Sequence, residues 1–456
     1  MKLTFNLPRK WLNACLLLAL LLLSMGMPSV EAKTLSLTQA PNSSLGLWSQ
    51  WLIEDTHELS LTEAQAYRAE GRFEPSKNST PSFGIGGRPV WLYLRVNNAQ
   101  STPLARQLLV GMSWIDQVDI YLLPSHGEPV HWRAGDGLPG QQRAEPDRGF
   151  SFSYDFPPGT SELYVRAATL DVMALPLYLL TPEHALADSI RVQYVSGFFY
   201  GYLLALFIYN LLLFAGLRQR RYLDYSVYLA CFILLTAAHT GLGLAWLWPD
   251  ALHLQSYVVF LFMILFFYSG LRFAEHFLQL SKYAPRLARS ITWLCRLCLT
   301  SFLLAVIFRQ QMAVTVITYG FALFYIVAMI AYGLITVRHR KVAGRYYLLA
   351  VLCGALGITI TVLAMLGILP VSSLTYHASE LGVMIEATLL ALALVYQMRQ
   401  DQQARKKAEN LARIDPLTGL LNRRAFLEQG EALWSNARRN QRPLTVIMLD
   451  LDFFKQ

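Results

Sequence analysis

The residues best suited to chemistry in this 456-residue chain lie at its very end. Leu449-Asp450-Leu451-Asp452-Phe453-Phe454-Lys455-Gln456 brings two carboxylates and a lysine out of an apolar run from Leu444 to Leu449. A strand that ends in a carboxylate fixes an oxygen where a divalent ion can use it, and Mg²⁺ takes few protein ligands while keeping water and phosphate. The pattern reads as the opening of a phosphate and metal site, although Asp-x-Asp after an apolar strand is alone a weak signal. The other candidates stand singly. Glu386 falls near the middle of a long apolar segment, with Glu380 closer to its end. A carboxylate at that depth is costly and often functional; the alternative is a protonated Glu386 hydrogen-bonded to a neighbouring helix. Cys295 and Cys298 have C-x-x-C spacing, but no second pair completes a zinc site, and their apolar setting assigns them to packing.

The elements that must position these residues belong to a membrane protein. Apolar residues make up 54% of the chain and charged ones 15%, well below the quarter usual in soluble proteins. The net charge of +9 comes from short basic clusters between apolar runs, with no Lys/Arg tract interleaved with aromatics, so nucleic acid is excluded as a partner. Residues 1–32 read as a signal peptide: Lys2, Arg9 and Lys10, an apolar core from Trp11 to Met25, and the small-x-small site Val30-Glu31-Ala32. No cysteine lies between Lys33 and Ile190, so the exported part folds without disulfides.

Residues 33–188 are polar, rich in turn signals and patterned at period two. Strands are expected at Val90–Val96, Gln107–Val110, Val118–Leu123, Glu162–Arg166 and Ala174–Leu180, with no helical period. That predicts an exported all-β sandwich of jelly-roll type. Residues 191–398 hold seven apolar segments, Val192–Leu217, Tyr225–Leu247, His253–Phe273, Ile291–Phe308, Met312–Val337, Tyr346–Leu369 and Ala378–Met398, each long enough to cross a hydrocarbon core of about 30 Å. Arg218, Arg220 and Arg221, then Lys282, Arg286 and Arg289, then Arg338, Arg340, Lys341 and Arg345 fall in alternate loops; Arg309 is the one basic residue in the others. The basic loops are cytoplasmic by this asymmetry, which puts the β-domain outside and the C-terminus inside. Arg296 can snorkel to the cytoplasmic face. No span contains the lysine that a retinal protein needs and no internal repeat marks a transport path, so a pump or carrier is disfavoured.

Residues 399–412 carry no helix breaker and continue the seventh span, with Asp401, Ala404, Ala408 and Leu411 as a thin heptad seam. They read as a rod that passes movement to an output domain rather than as a plain charged linker. The stretch beyond this rod, from Ala412 through Asp415-Pro416-Leu417-Thr418-Gly419-Leu420 and Asn422-Arg423-Arg424 to Phe426, resembles the opening of a GGDEF domain, the catalytic domain of diguanylate cyclases. A helix from Arg423 to about Asn440 and a buried strand from Leu444 to Leu449 are expected next. Residues 413–456 would then be an incomplete α/β GGDEF domain. The upstream block resembles a partner family: Trp91, Ser113 to Tyr121 and Leu175-Pro176-Leu177 match the sensor pattern of bacterial seven-transmembrane receptors with diverse intracellular signalling modules.

The resemblance implies a function for each part. Asp450 would bind Mg²⁺, with Leu451 adding its backbone carbonyl; amides around Phe453 and Phe454, with the Lys455 side chain, would hold the phosphates of GTP. Asp452 would be structural. Two such domains, brought together in a homodimer through the cytoplasmic helix, would join two GTP molecules into cyclic di-GMP. The periplasmic ligand would be carbohydrate-like; Trp91, Tyr93 and Trp114 could stack on sugars but are better read as core. The protein would reside in a bacterial inner membrane among its lipids. The Asn-Asp pair that reads guanine and the Gly-Gly-Asp/Glu-Glu-Phe loop do not occur in these residues, so the chain as it stands is expected not to make cyclic di-GMP. It is expected to be either a fragment of a longer receptor cyclase or a non-catalytic receptor whose output domain is lost.

Overall fold

The computed structural model describes residues 34–55, 57–85, 87–135, 145, 148–248, 252–339, 342–411 and 413–449. The signal peptide lies outside them. Two compact units divide between Ala391 and Leu392.

The extracellular part of the first unit is built from strands β1 (Leu35–Ser36), β2 (Gln50–Ile53), β3 (Glu74–Pro75), β4 (Ser82–Ile85), β5 (Val90–Asn98), β6 (Leu104–Val110), β7 (Gln117–Pro124), β8 (Val130–Ala134), β9 (Phe150–Phe156), β10 (Gly159–Ala168), β11 (Val172–Ala174) and β12 (Leu177–Leu180). One sheet runs β3-β2-β5-β10-β7-β8, with β1 added parallel to β5; a second runs β12-β6-β9, and β11 pairs with β4. Period-two alternation decides which residues face where. In β5 the even positions Val90, Leu92, Leu94 and Val96 join Ile120, Leu122, Leu163 and Val165 in one core with Leu108, Phe150, Phe152 and Leu179 of the second sheet. The odd positions turn outward. Register sets Tyr93 beside Tyr164, Tyr164 beside Tyr121 and Tyr121 beside His131, a four-strand row.

That outward row is partly covered by helix α1 (Leu61–Ala69), an element the expected all-β pattern lacks. Its start is written in Ser60-Leu61-Thr62-Glu63: the Ser60 hydroxyl accepts from the Glu63 amide, and the Glu63 carboxylate accepts from the Ser60 amide at 2.8 Å. This is a capping box. The expected strand Ala174–Leu180 is also two strands, because the chain changes partner at Leu175-Pro176. Leu175 N donates to Pro81 O, and Pro176, with no N–H of its own, accepts from Gly111 N, both at 2.9 Å.

Seven helices among the described residues are long and apolar enough to cross a membrane. They are α2 (Pro182–Leu217), α3 (Arg220–His239), α5 (Leu252–Phe277), α7 (Pro285–Ile307), α8 (Gln311–Arg338), α9 (Val342–Met365) and α11 (Ala378–Leu411). Short helices α4 (Leu242–Trp246), α6 (Leu280–Tyr283) and α10 (Ser373–Tyr376) sit in the connections. The second span stops at His239 rather than at Leu247 because Gly241 takes a φ of 84°, which starts the separate α4.

In the second unit, helix α12 (Arg423–Arg439) forms as expected. The strand expected at Leu444–Leu449 does not: those residues form no ladder, and Val446 to Leu449 are exposed. An apolar run becomes a strand only when neighbouring strands take its backbone groups, and none of the described residues offers it that ladder.

Candidate sensory site between the sandwich and the helices

The sandwich and the spans meet along a cavity of about 620 Å³. Its walls are the loop at Ser43 and Ser44, the end of β6 and the residues after it from Leu109 to Met112, Arg148, the run from Pro176 through the first turns of α2, and the turn from Val371 to His377. Most are fixed locally. Ser44 Oγ accepts from the Leu177 amide at 3.2 Å. Thr181 caps α2 by accepting from His184 N, and Asp188 on that helix accepts from Arg191 at 2.6 Å and pairs with Arg148 at 3.5 Å. Burial pushes the Tyr178 hydroxyl pKa up, with Asp188 adding to the effect. Ser372 and Thr375 form a reciprocal cap on α10, and His377 Nδ1 lies 2.8 Å from Glu380 Oε2. The walls therefore mix hydroxyls, two arginines shared by one aspartate, and the rings of Tyr178 and Tyr376.

The turn between α9 and α11 belongs to the sandwich as much as to the bundle. Met365 is part of the sandwich core, with Val371 and Tyr376 packed against it. Ser82 Oγ donates to Met365 O at 2.5 Å, and Thr361 Oγ1 on α9 donates to Thr375 O at 3.1 Å and accepts from Ser379 N at 2.9 Å. A second attachment joins the sandwich to the end of α3, where Trp114 stacks on His239 with centroids 4.5 Å apart. Trp114 Nε1 donates to Val172 O, and Ser113 Oγ donates to His239 O at 3.4 Å. Trp91, Tyr93 and Trp114 are all buried, so none offers a free face for stacking.

Glu386 is 5% exposed and packed within the bundle. Tyr228 Oη on α3 donates to its Oε1 at 3.2 Å, and Tyr225 Oη donates to the Ala387 carbonyl at 2.7 Å. A Cβ at Gly354 of α9 would overlap Glu386 Oε2, so glycine is what lets the carboxylate sit there. The hydrogen bond expected from a neighbouring helix is thus present. Cys295 is buried and Cys298 partly so, both as free thiols, and the described residues hold no His/Cys/Asp/Glu cluster of metal-binding size.

In the second unit the Asp415–Asn422 stretch is a local scaffold. Asp415 Oδ1 accepts from the Thr418 amide and hydroxyl, both at 2.9 Å, and from Leu417 N at 3.1 Å. The Thr418 backbone hydrogen bond, with the others, holds the Asp415 carboxyl below the usual range. Asn422 Oδ1 accepts from Ala425 N at 3.0 Å and so caps α12. The conspicuous polar residues of this block shape the backbone. The expected site residues Asp450, Leu451, Phe453, Phe454 and Lys455 lie outside the described residues. The cavity residues Arg148, His184, Asp188 and Tyr376 had no sequence motif to announce them; only the fold brings them together.

A disulfide-free extracellular sandwich sealed onto seven spans, with the last span running on as a helix to Leu411, defines a membrane receptor with an intracellular output. Comparison with known families agrees part by part. Residues 46–181 match the family described as 7TMR-DISM extracellular 2, residues 192–397 match 7TM diverse intracellular signalling, and residues 412–456 match diguanylate cyclase, GGDEF domain. The chain belongs to the seven-transmembrane receptors with diverse intracellular signalling, here joined to a GGDEF module. No curated protein matches it.

Proposed function

We propose that the protein is a sensor diguanylate cyclase of a bacterial inner membrane. A small polar ligand enters the cavity between sandwich and helices, displaces the turn from Val371 to His377, and through α11 alters how two cyclase domains meet. The observation that carries this reading is the double membership of that turn. Its residues wall the cavity, pack against the sandwich core and lead directly into α11, which begins at Ala378 and extends to Leu411. A ligand that moves this turn therefore moves the start of the helix that reaches the output domain. The hydroxyl-rich walls suit a carbohydrate-like molecule, and 620 Å³ falls within the range of small-molecule sites.

The output chemistry rests on the GGDEF match. Asp450 and the Leu451 carbonyl are hard oxygen donors of the kind Mg²⁺ takes, and Lys455 with the amides near Phe453 and Phe454 would hold GTP phosphates. The metal, when bound, would lower the pKa of the attacking ribose hydroxyl. The 456 residues include no Gly-Gly-Asp/Glu-Glu-Phe loop, so these residues by themselves are predicted to form no cyclic di-GMP. Product from the purified 456-residue chain with GTP and Mg²⁺ would overturn that. The sensory half is tested on the same protein in lipid discs, by thermal shift against a panel of mono- and oligosaccharides. A binder should lose most of its effect on Ser373→Trp, which adds an indole to the cavity wall. Equal shifts for both proteins would place the ligand elsewhere.

A further inference from the structure

A further recess lies at the opposite side of the bundle. It is a cleft of about 320 Å³ between the end of α5, α6 and the first half of α7, walled among others by Glu275, Ser281, Arg289, Trp293 and Arg296. With the sandwich outside, the fourth span α7 enters from the cytoplasm at Pro285. Arg289, Trp293 and Arg296 fall at i, i+4 and i+7, on one stripe of this helix. Helical side chains lean toward the N-terminus, so all three aim back toward the cytoplasmic surface.

Charge is out of balance here. Glu275 is the one carboxylate in the cleft wall among the described residues, and it is already engaged: Arg272 donates to its Oε2 at 2.8 Å and Ser281 to its Oε1 at 3.0 Å. Arg289 makes one hydrogen bond among the described residues, from Nε to Pro285 O at 3.3 Å. The Arg296 guanidinium lies 5.4 Å from the centroid of the Trp293 ring and has no ion pair among the described residues. It also sits eleven residues beyond Pro285, the first residue of α7, about 16 Å along the axis. Among the described residues neither arginine has a counter-ion; Arg296 lies within the apolar span, where an unpaired charge is costly, and Arg289 stands two turns nearer the cytoplasmic end of the same helix. Trp293 is 67% exposed, as an interfacial anchor is, and Leu294 and Leu297 of the same apolar span are exposed as well.

We propose that this cleft binds the phosphate headgroup of an anionic phospholipid of the cytoplasmic leaflet, clamped by Arg289 and Arg296 with Trp293 beside them. Guanidinium groups match phosphate oxygens in pairs, and basic recesses between spans on the cytoplasmic side suit acidic headgroups. The apolar flank formed by Leu294 and Leu297 takes an acyl chain, which a free phosphate ion lacks. The site is independent of the extracellular ligand and of the cyclase.

The test uses the whole chain in phosphatidylcholine discs with phosphatidylglycerol added. Trp293 fluorescence is isolated as the difference between the wild type and Trp293→Phe, and quenching by brominated phosphatidylglycerol is compared with quenching by brominated phosphatidylcholine. The anionic lipid should quench preferentially, and each of Arg289→Gln and Arg296→Gln should lower that preference about five-fold, the effect of one juxtamembrane cation. Equal quenching by both lipids in the wild type overturns the proposal without recourse to any arginine variant. So does displacement of phosphatidylglycerol by inorganic phosphate at comparable concentration, which would make the site one for free anions. Arg296→Lys keeps the charge without the planar fork and should retain part of the preference; full loss there with unchanged thermal stability would also count against a charge-based clamp.

Discussion

The outer face of the large sheet supports a prediction whose size is set by its geometry. Glu54 receives four donors: Arg166 Nε at 2.7 Å and Nη2 at 3.0 Å, Trp91 Nε1 at 2.8 Å and the Leu59 amide at 3.3 Å. Both charged side chains are buried, 4% exposed for Glu54 and 7% for Arg166. Removing one partner of a buried pair costs about 3–5 kcal/mol because the other charge is stranded. In Glu54→Ala the indole N–H of Trp91 is stranded too, a further ~1–3 kcal/mol. Glu58 moderates the loss, lying 3.3 Å from Arg166 Nη1, but it is 74% exposed and screened. The expected net is about 4 kcal/mol for Glu54→Ala and roughly half that for Glu54→Gln, which keeps an acceptor oxygen. The next residue is the control. Asp55 pairs with Arg88 at 3.2 Å and is 66% exposed, so Asp55→Ala should cost less than about 1 kcal/mol. In thermal unfolding of the detergent-solubilised chain, the Glu54→Ala transition of the sandwich should fall by roughly 8–16 °C against a shift of a few degrees for the control. Indistinguishable transitions for Glu54→Ala and Asp55→Ala would refute the reasoning that burial makes this pair matter.

Asp171 gives a pH signature. Burial, with Asp116 nearby, raises its pKa from 3.8 to about 6, so the folded protein holds a proton that the unfolded chain has lost, and stability falls as pH rises from about 4 through 6. Asp171→Asn should therefore stabilise the sandwich at pH 7–8, by at most about 3 kcal/mol, with the gain vanishing near pH 4; a gain that is the same at every pH would contradict this. In the bundle, Gly354→Ala places a methyl against Glu386 and should destabilise the solubilised protein by about 1–3 kcal/mol. Gly320→Ala, where a Cβ meets nothing within 4 Å, should leave its melting unchanged.

What the sequence could reveal depends on how local the cause is. The seven spans are legible because each is decided by its own apolar length, and α12 because Asn422 and the residues after it carry cap and helix together. The strands of the sandwich are legible where one face is buried, as in β5. The break at Leu175-Pro176 was not, since it depends on which carbonyls and amides of β4 and β6 come alongside. Helix α1 did leave a local mark, the Ser60–Glu63 box, but its nine residues are short and polar among strands, and apolar periodicity passes over them. The cavity is the extreme case. Ser44, Tyr178, Asp188 and Tyr376 stand more than 330 residues apart at the ends and share no spacing rule; each is an ordinary capping or packing residue in its own segment.

That contrast bears on how such a receptor acquires a ligand. Part of the cavity wall is also core, namely Leu109, Met112, Tyr178, Leu180 and, in the turn, Val371 and Tyr376, while the polar rest packs in neither the sandwich core nor the bundle. Residues such as Ser43, His184 and Ser373 can therefore change with the ligand while the packing of Met365, Val371 and Tyr376 stays. Exchanging the lining should alter which molecule binds, whereas exchanging the shared turn should uncouple binding from the output helix. In the proposed reading, specificity and transmission fall to different residues of the same seven-residue stretch, Val371 to His377: Ser372 and Ser373 line the cavity, while Val371 and Tyr376 also pack against the sandwich core.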